Sequence, residues 1–424
     1  MTAFFDNPEL FLRDLFAVAV AAADPMECIP PHLPVAPKGR TVVLGAGKAS
    51  AAMACAVESN WQGDISGLVV TRYGFAVPCS RIEIVEASHP VPDAAGLNAA
   101  RRIVEMARTL GPDDLCIALI SGGASSLLTC PAEGLTLEDK QSVNRALLRS
   151  GADISEMNCV RKHLSAIKGG RLAQMVAPAG LVTLLISDVV GDLPQVIGSG
   201  PTVPDETTFA DARRIVEKYK VELPPAVARH LLKAERETPK PGDPIFALTS
   251  TILAGLPKVS LAAAGKAAAQ AGLSVIDLGD RLDGETRDVA RAHARLALDI
   301  KNGNGAVRPP AILLSGGETT VTLTGNGRGG PNGEYALSLG IALDGVDGIY
   351  ALSCDTDGID GSEDNAGAIM SPELFRRAAV AGLDAGTYLE NNDSYGFFEA
   401  LDGLVKTGPT FTNVNDFRAV LVLP

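Results

Sequence analysis

The chain has 424 residues, 46% of them hydrophobic but only 4% aromatic, and a formal net charge of −13. That length exceeds one ordinary core and predicts two domains. So acidic a chain makes nucleic acid and anionic membrane poor partners and points to small ligands held in local pockets.

Asn7-Pro8-Glu9 is a good helix start, and Leu12, Leu15, Phe16 and Ala19 give the helix that follows an apolar face. Which domain this helix packs on is open at this level. It has no basic stretch ahead of it, so it is not expected to be a signal peptide. A Pro-rich linker, Pro25 to Pro37, leads to the first strand. From there short apolar runs alternate with helical stretches, with strands expected at 41–45, 67–71, 82–86, 115–120 and 181–187 and helices at 48–59, 93–109, 137–151 and 159–176. Such alternation predicts a parallel sheet wrapped by helices. Lys233 to Asp243 carries charges and two prolines, and the domain boundary is expected there. Beyond it, strands are expected at 245–249, 273–278, 311–315, 319–324, 348–353 and 417–423, and helices at 260–271 and 284–301. Seven scattered cysteines without a C-x-x-C pair read as reduced thiols of a cytosolic protein. No apolar run is long enough to span a bilayer, and a soluble, cytoplasmic protein is expected.

The first strand runs into Gly45-Ala-Gly47-Lys48. A glycine turn between strand and helix aims N–H groups at one point and suits a phosphate or carboxylate. A lysine there opposes the helix dipole unless an anion takes both; the alternative is a surface lysine. The turn is not a P-loop, because Val42 stands where that motif has its first glycine. Nor is it a dinucleotide fingerprint, because Ser50 replaces the third glycine and the next strand ends without an acid.

Two later stretches echo each other. Leu115–Ile120 runs into Ser121-Gly122-Gly123-Ala-Ser125, and Ala311–Leu314 into Ser315-Gly316-Gly317-Glu318-Thr319. Each predicts a strand whose carboxyl end offers a ligand-facing turn, and together with the Lys48 turn they suggest a cleft between domains. Arg161 and Lys168 fall on one face of the expected 159–176 helix, either gripping a ligand or lying in solvent, and His163 reads as structural. Asp188 and Asp192 follow the fifth strand, where a carboxylate suits magnesium beside phosphate oxygens or, alternatively, caps a turn. The loop Gly325–Glu334 holds five glycines and one arginine, Arg328, which is placed to meet transition-state charge. Asp355 and Asp357 could hold a metal or orient a hydroxyl. No nucleophile elbow or His-E-x-x-His occurs, which weighs against a hydrolase.

Taken together, Gly-Ala-Gly-Lys-Ala-Ser (45–50), Ser-Gly-Gly-Ala-Ser (121–125), Asn158 to Ala173, Ser-Asp-Val-Val-Gly-Asp (187–192), Ser-Gly-Pro-Thr (199–202), Ser-Gly-Gly-Glu-Thr-Thr (315–320), Asp355 to Gly361, Asn-Asn-Asp-Ser-Tyr (391–395) and Thr-Asn-Val-Asn-Asp (412–416) resemble the bacterial glycerate 2-kinases. The resemblance covers nearly the whole chain in order. It implies an N-terminal Rossmann-like glycerate kinase domain, 1–240, a C-terminal mixed α/β MOFRL-type domain, 241–424, and an active site in the interdomain cleft. The implied reaction is ATP + D-glycerate giving ADP + 2-phospho-D-glycerate with Mg²⁺. The alternatives are an NAD(P)H-dependent hydroxypyruvate reductase, a name often given to such proteins, and a kinase for a related small sugar acid. Lys48 matches the family's catalytic lysine. The family's glycine loop has an arginine where this chain has Pro331 and a glutamine where it has Gly333, so Arg328 is the candidate replacement; Phe411 stands where glycine is usual. The expected site then comprises Lys48, Arg328 and Asp188 as catalytic groups. Gly45, Gly47, Ser121, Gly122, Gly123, Ser125, Arg161, Lys168, Ser315, Gly316, Gly317, Glu318, Asn326, Asn332 and Asn392 are expected around substrate and phosphates. Asp188, Asp192, Asp355 and Asp357 are expected at metal. A homodimer is the assembly to be tested.

Overall fold

The computed structural model describes residues 4–424. They form two compact units, Pro25–Gly255 and Leu256–Pro424, the latter joined by the segment that ends at Asp24.

The first unit is built on β1 (Thr41–Ala46), β2 (Ile65–Arg72), β3 (Ile82–Ala87), β4 (Leu115–Ile120), β5 (Gly180–Ile186) and β6 (Thr249–Gly255). They pair in the order β3-β2-β1-β4-β5-β6, every pair parallel. β1 and β4 are buried along their whole length, as their continuous apolar runs require of strands covered on both faces. The chain winds outward from β1 to β3 and then returns to β4, so the order reverses between β1 and β4. In open sheets of this kind the crevice outside those two carboxyl ends is where ligands bind. Ala94–Ala107 packs on the sheet and buries Ala99, Ala100, Ile103 and Ala107, whereas Leu137–Ser150, which starts on a Thr136/Asp139 capping box, packs Val143 and Leu147 among neighbouring helices.

Two expectations are corrected here. The helix expected over 159–176 is two helices, Ile154–His163 and Arg171–Val176. Gly169 and Gly170 break it with φ of 58° and 79°, and a Cβ on Gly170 would lie 2.9 Å from the Val203 carbonyl oxygen. The strand placed at 245–249 starts at Thr249 and runs to Gly255 beside β5. The segment 241–255 therefore goes with the first sheet, and the units divide after Gly255 rather than at 240. β5 would otherwise present an unpaired edge, and β6 satisfies it.

The second unit holds β7 (Ser274–Asp277), β8 (Ala311–Gly317), β9 (Ile349–Asp355), β10 (Gly367–Met370), β11 (Leu404–Val405) and β12 (Asp416–Val422) in the order β11-β10-β9-β12-β8-β7. β12 is antiparallel to both β8 and β9 while β7 and β8 are parallel, so the sheet is mixed. The opening helix, Pro8–Ala21, packs in this unit: Phe11, Leu12, Leu15 and Ala19 are fully buried, and the Phe16 ring lies 5.9 Å from that of Phe417. The strand expected over 319–324 does not form, because β8's partner β12 ends its pairing at Asp416 opposite Gly317. The unexpected helix Pro331–Leu343 begins on a proline in its first turn and is buried from Asn332 to Gly340, so it lacks the one-sided pattern that marks a surface helix. Among the described residues no helix is long and apolar enough to cross a membrane.

Candidate active site

The carboxyl ends of β1, β4 and β5, adjacent in the parallel sheet, carry the Lys48, Ser121–Ser125 and Asp188–Asp192 segments. The turn after β1 does not offer the open amides expected of it. Gly47 N–H donates to Val70 O (3.0 Å), Lys48 N–H to Gly122 O (2.8 Å) and Ala49 N–H to Ser121 Oγ (3.0 Å). Its glycines serve close packing: a Cβ on Gly45 would lie 2.2 Å from Leu119 O, and one on Gly47 2.1 Å from Ser121 Oγ. The helix begins at Ser50, so Lys48 sits in the turn ahead of it and its charge is spared the first helical turn.

The open amides are one strand over. Ser121 N–H donates to Ala46 O (3.1 Å), but the N–H groups of Gly122, Gly123 and Ser125 enter no backbone hydrogen bond. Gly123 is left-handed at φ 80°, and where its Cβ would stand the His89 ring is 3.0 Å away and Lys48 Cγ 3.4 Å. Lys48 and His89 thus flank the amide-lined turn at the point where the strand order reverses. Sequence reasoning missed His89, whose only signal was a histidine beside Pro90 past the third strand.

Ser125 Oγ is 2.8 Å from Ser199 Oγ and accepts from Lys168 Nζ (3.0 Å), which also donates to Ser125 O (2.6 Å). Lys168 is 2% exposed. Burial, then the charges of Lys140 and Arg161, hold its ammonium well below the usual lysine range. Arg161 donates to Asn144 Oδ1 (2.8 Å) and Asn158 Oδ1 (3.3 Å), so it faces inward and not into solvent. Lys168 lies between the two helices yet comes to the same neighbourhood. After β5, Asp192 adopts φ 57°, and its Oδ1 is shielded with no hydrogen-bond partner. An orphaned carboxylate oxygen four residues after Asp188 on the same loop has the donor chemistry that Mg²⁺ takes, one or two carboxylates completing a shell of water and phosphate oxygens. Among the described residues no three His, Cys, Asp or Glu side chains gather as a protein-only metal cage.

In the second unit several of the expected residues make contacts within the unit itself. Ser315, Gly316 and Gly317 are not a turn; they are the end of β8, paired with Arg418, Phe417 and Asp416. A Cβ on Gly317 (φ 114°) would meet Leu282 O at 2.2 Å. Glu318 is the exposed residue that follows. The glycine loop is stapled down. Asn392 Oδ1 accepts from Thr324 N–H (2.7 Å) and Gly325 N–H (2.9 Å), Asn391 Oδ1 from Asn326 N–H (3.1 Å) and Asp393 Oδ1 from Arg328 N–H (3.0 Å). Asn392 also donates to Glu334 (3.0 Å), itself paired with Arg287 (2.7 Å). The Arg328 guanidinium lies 4.4 Å from the Tyr395 ring centre and pairs with Glu399 (3.1 Å) and Glu363 (3.6 Å). These contacts tie the loop to the 391–399 segment, while about half of the Arg328 side chain, 53%, stays exposed. Asp355 Oδ1 accepts from Asp357 N–H (2.9 Å) and Asp357 Oδ1 from Ile359 N–H (2.8 Å), the turn-forming alternative for such aspartates.

Asn332, expected at the ligand, is fully buried in a polar network that sequence reasoning did not foresee. It donates to Asp416 Oδ1 (2.7 Å) and Asp360 Oδ1 (3.3 Å) and accepts from Ser353 Oγ (2.6 Å). Asp416 pairs with the buried Arg418. Burial raises the Asp360 carboxyl to about 7 against its backbone N–H donors, Asn332 and Gly333. His293 bonds Tyr335 Oη (2.7 Å) and is pushed down to about 4 by burial and by Arg418. The signal for this network was the run of Asn, Asp and Arg at the start of the last strand.

Two family models match the chain: "Domain of unknown function (DUF4147)" over residues 11–232 and "MOFRL family" over 311–416. A protein of Agrobacterium vitis provisionally named hydroxypyruvate reductase is 54% identical over 97% of this chain and 94% of its own. The D-glycerate 2-kinase of Thermotoga maritima is 40% identical over 96% of each chain. The crystal structure of glycerate kinase from the same organism superposes with a TM-score of 0.89 at 38% identity, covering 99% of this chain and 100% of that one. With models and relatives in agreement over both units, the chain belongs to the glycerate kinase family that joins a DUF4147 domain to a MOFRL domain.

Proposed function

We propose that this protein is a glycerate 2-kinase, transferring the γ-phosphoryl group of ATP to the 2-hydroxyl of D-glycerate. The observation that carries the site is the Ser121–Ser125 turn, with three uncommitted amides at the strand-order reversal and Lys48 and His89 beside it. Those amides suit phosphate oxygens, and the Lys48 ammonium suits the charge that spreads over the transferring group. The acceptor oxygen bonds to the γ-phosphorus as the bridge to the β-phosphate breaks, so the work is positioning and electrostatics and needs no protein nucleophile. Asp188 and Asp192 are the residues that would hold Mg²⁺, which would supply positive charge to offset that of the phosphates.

The hydroxypyruvate reductase name of the Agrobacterium relative supplies a second reading. The turn after β1 argues against it, since Ser50 replaces the third fingerprint glycine and β2 ends on Arg72 where an acid would hold a ribose. A coupled assay of ADP release with D-glycerate tests the proposal. Lys48→Ala is expected to lower kcat by more than ~100-fold. Absorbance loss at 340 nm with hydroxypyruvate and NADH, and no ADP release, would replace the kinase reading with the reductase.

A further inference from the structure

Within the first unit, Lys168 is buried and Lys140 and Arg161 are half-buried, and none of the three meets a counter-charge among the described residues. Lys140 stands on the Leu137–Ser150 helix, and its Nζ is shielded with no hydrogen-bond partner. One turn on, Asn144 accepts from Arg161, and Lys168 is fixed against Ser125. None of the three forms an ion pair among the described residues, whereas neighbouring Lys162 has Asp205 at 3.2 Å. Their charges act on one another: Arg161 disfavours the Lys140 ammonium, and both disfavour that of Lys168. Burial first, then Arg161, brings Lys140 down to about 8 against the Cys130 thiol, the titratable group that faces it and is in turn faced by Arg101 and Arg108. Burial also lowers Arg161, yet a guanidinium keeps its proton. A buried cation must be paired or lose its charge. The side chains that approach this group, Asn144, Asn158 and Ser125, are neutral, and Lys168 otherwise reaches only the Ser125 and Gly198 carbonyl oxygens, so nothing bonded to it carries a negative charge.

We propose that Lys140, Arg161 and Lys168 form a buried carboxylate-binding site that receives the acid group of a 2-hydroxy acid. This rests on the kinase reading. In a 2-hydroxy acid the carboxylate is attached to the carbon that bears the reacting hydroxyl, so its site must adjoin the phosphate site. Ser125 meets that demand: its N–H belongs to the open turn, and its hydroxyl and carbonyl are held by Lys168. Guanidinium and two ammonium groups match the two oxygens of a carboxylate. An entering carboxylate restores the favoured charge of the lysines, so binding takes up protons.

The test uses the full-length protein and Lys140→Met. Titration of the wild type with D-glycerate alone, in buffers of different ionisation heat, is expected to show net proton uptake near pH 8. In the variant, KM for D-glycerate is expected to rise roughly 10- to 100-fold while KM for ATP holds, and Lys140→Arg restores most of the loss. Without ligand the variant is expected to melt higher than wild type, because an uncompensated buried charge is gone, and D-glycerate no longer raises its Tm. A lower ligand-free Tm, no proton uptake, an unchanged KM for the acid, or a rise in KM for ATP instead would each overturn the site. If the wild type binds D-glycerate with proton uptake but releases no ADP, the kinase reading fails and the carboxylate site stands. If ADP is released and Lys140→Met behaves as wild type, the site alone fails.

Discussion

At the scale of single residues, glycine and lysine carry the candidate site for different reasons. Gly123 is left-handed, and its missing Cβ leaves room for the His89 ring and the stem of Lys48. Gly123→Ala is expected to lose ~1 kcal/mol of stability from backbone strain alone, and more activity than that strain explains because the methyl crowds the His89 ring, 3.0 Å away. Thermal melting beside kcat separates the two. A different residue-scale prediction concerns Asp360 and His293, both in the second unit. Asp360 is raised by burial to about 7, so between pH 4 and 7 the folded unit keeps a proton the unfolded chain has lost, and stability falls as pH rises. His293 is lowered to about 4, so between pH 6.5 and 4 the unfolded chain takes a proton the folded unit refuses, and stability falls as pH drops. The two slopes oppose. Asp360→Asn removes the first and is expected to leave stability rising from pH 4 to 6.5 relative to wild type, as read by denaturant unfolding at stepped pH. Unchanged pH dependence would show that Asp360 titrates normally.

At the scale of elements, two copies of one tripeptide meet different fates. Ser121-Gly-Gly123 follows β4 as an open turn, and Ser315-Gly-Gly317 completes β8. The residues do not distinguish them; the neighbour does. β12 runs antiparallel to β8 and consumes its last groups down to Gly317, whereas β4 lies between parallel strands whose pairing stops at Ile120. The glycine loop tells the same story. Its glycines and lone arginine read as a ligand-facing loop, but Asn391, Asn392 and Asp393 fasten its amides one by one. Asn392→Ala is expected to cost about 1–3 kcal/mol, since two N–H groups and the Glu334 carboxylate lose a partner. Hydrogen exchange over 324–330 should speed up in that variant; unaltered exchange would mean other bonds hold the loop.

At the scale of the molecule, the opening helix belongs to the unit that the chain completes last. Removing residues 1–24 strips Phe11, Leu12, Leu15 and Phe16 from the core they share with Phe417. The truncated protein is expected to lose hydrogen-exchange protection over 256–424 while 25–255 keeps its own; uniform loss across both units would contradict the division. The sequence alone settled the α/β class, the parallel first sheet and its main strands, because continuous apolar runs with glycine turns are local signals that burial on two faces demands. It also placed Lys48, Ser121–Ser125 and Asp188 at strand ends. Tertiary structure alone decided that the open amides lie after β4 and not β1, that Arg328 and Asn392 anchor a loop, that 241–255 completes the first sheet, and that Lys140 joins Arg161 and Lys168. Each of these depends on which distant group takes up a hydrogen bond or a charge, and spacing along a chain carries no record of that partner.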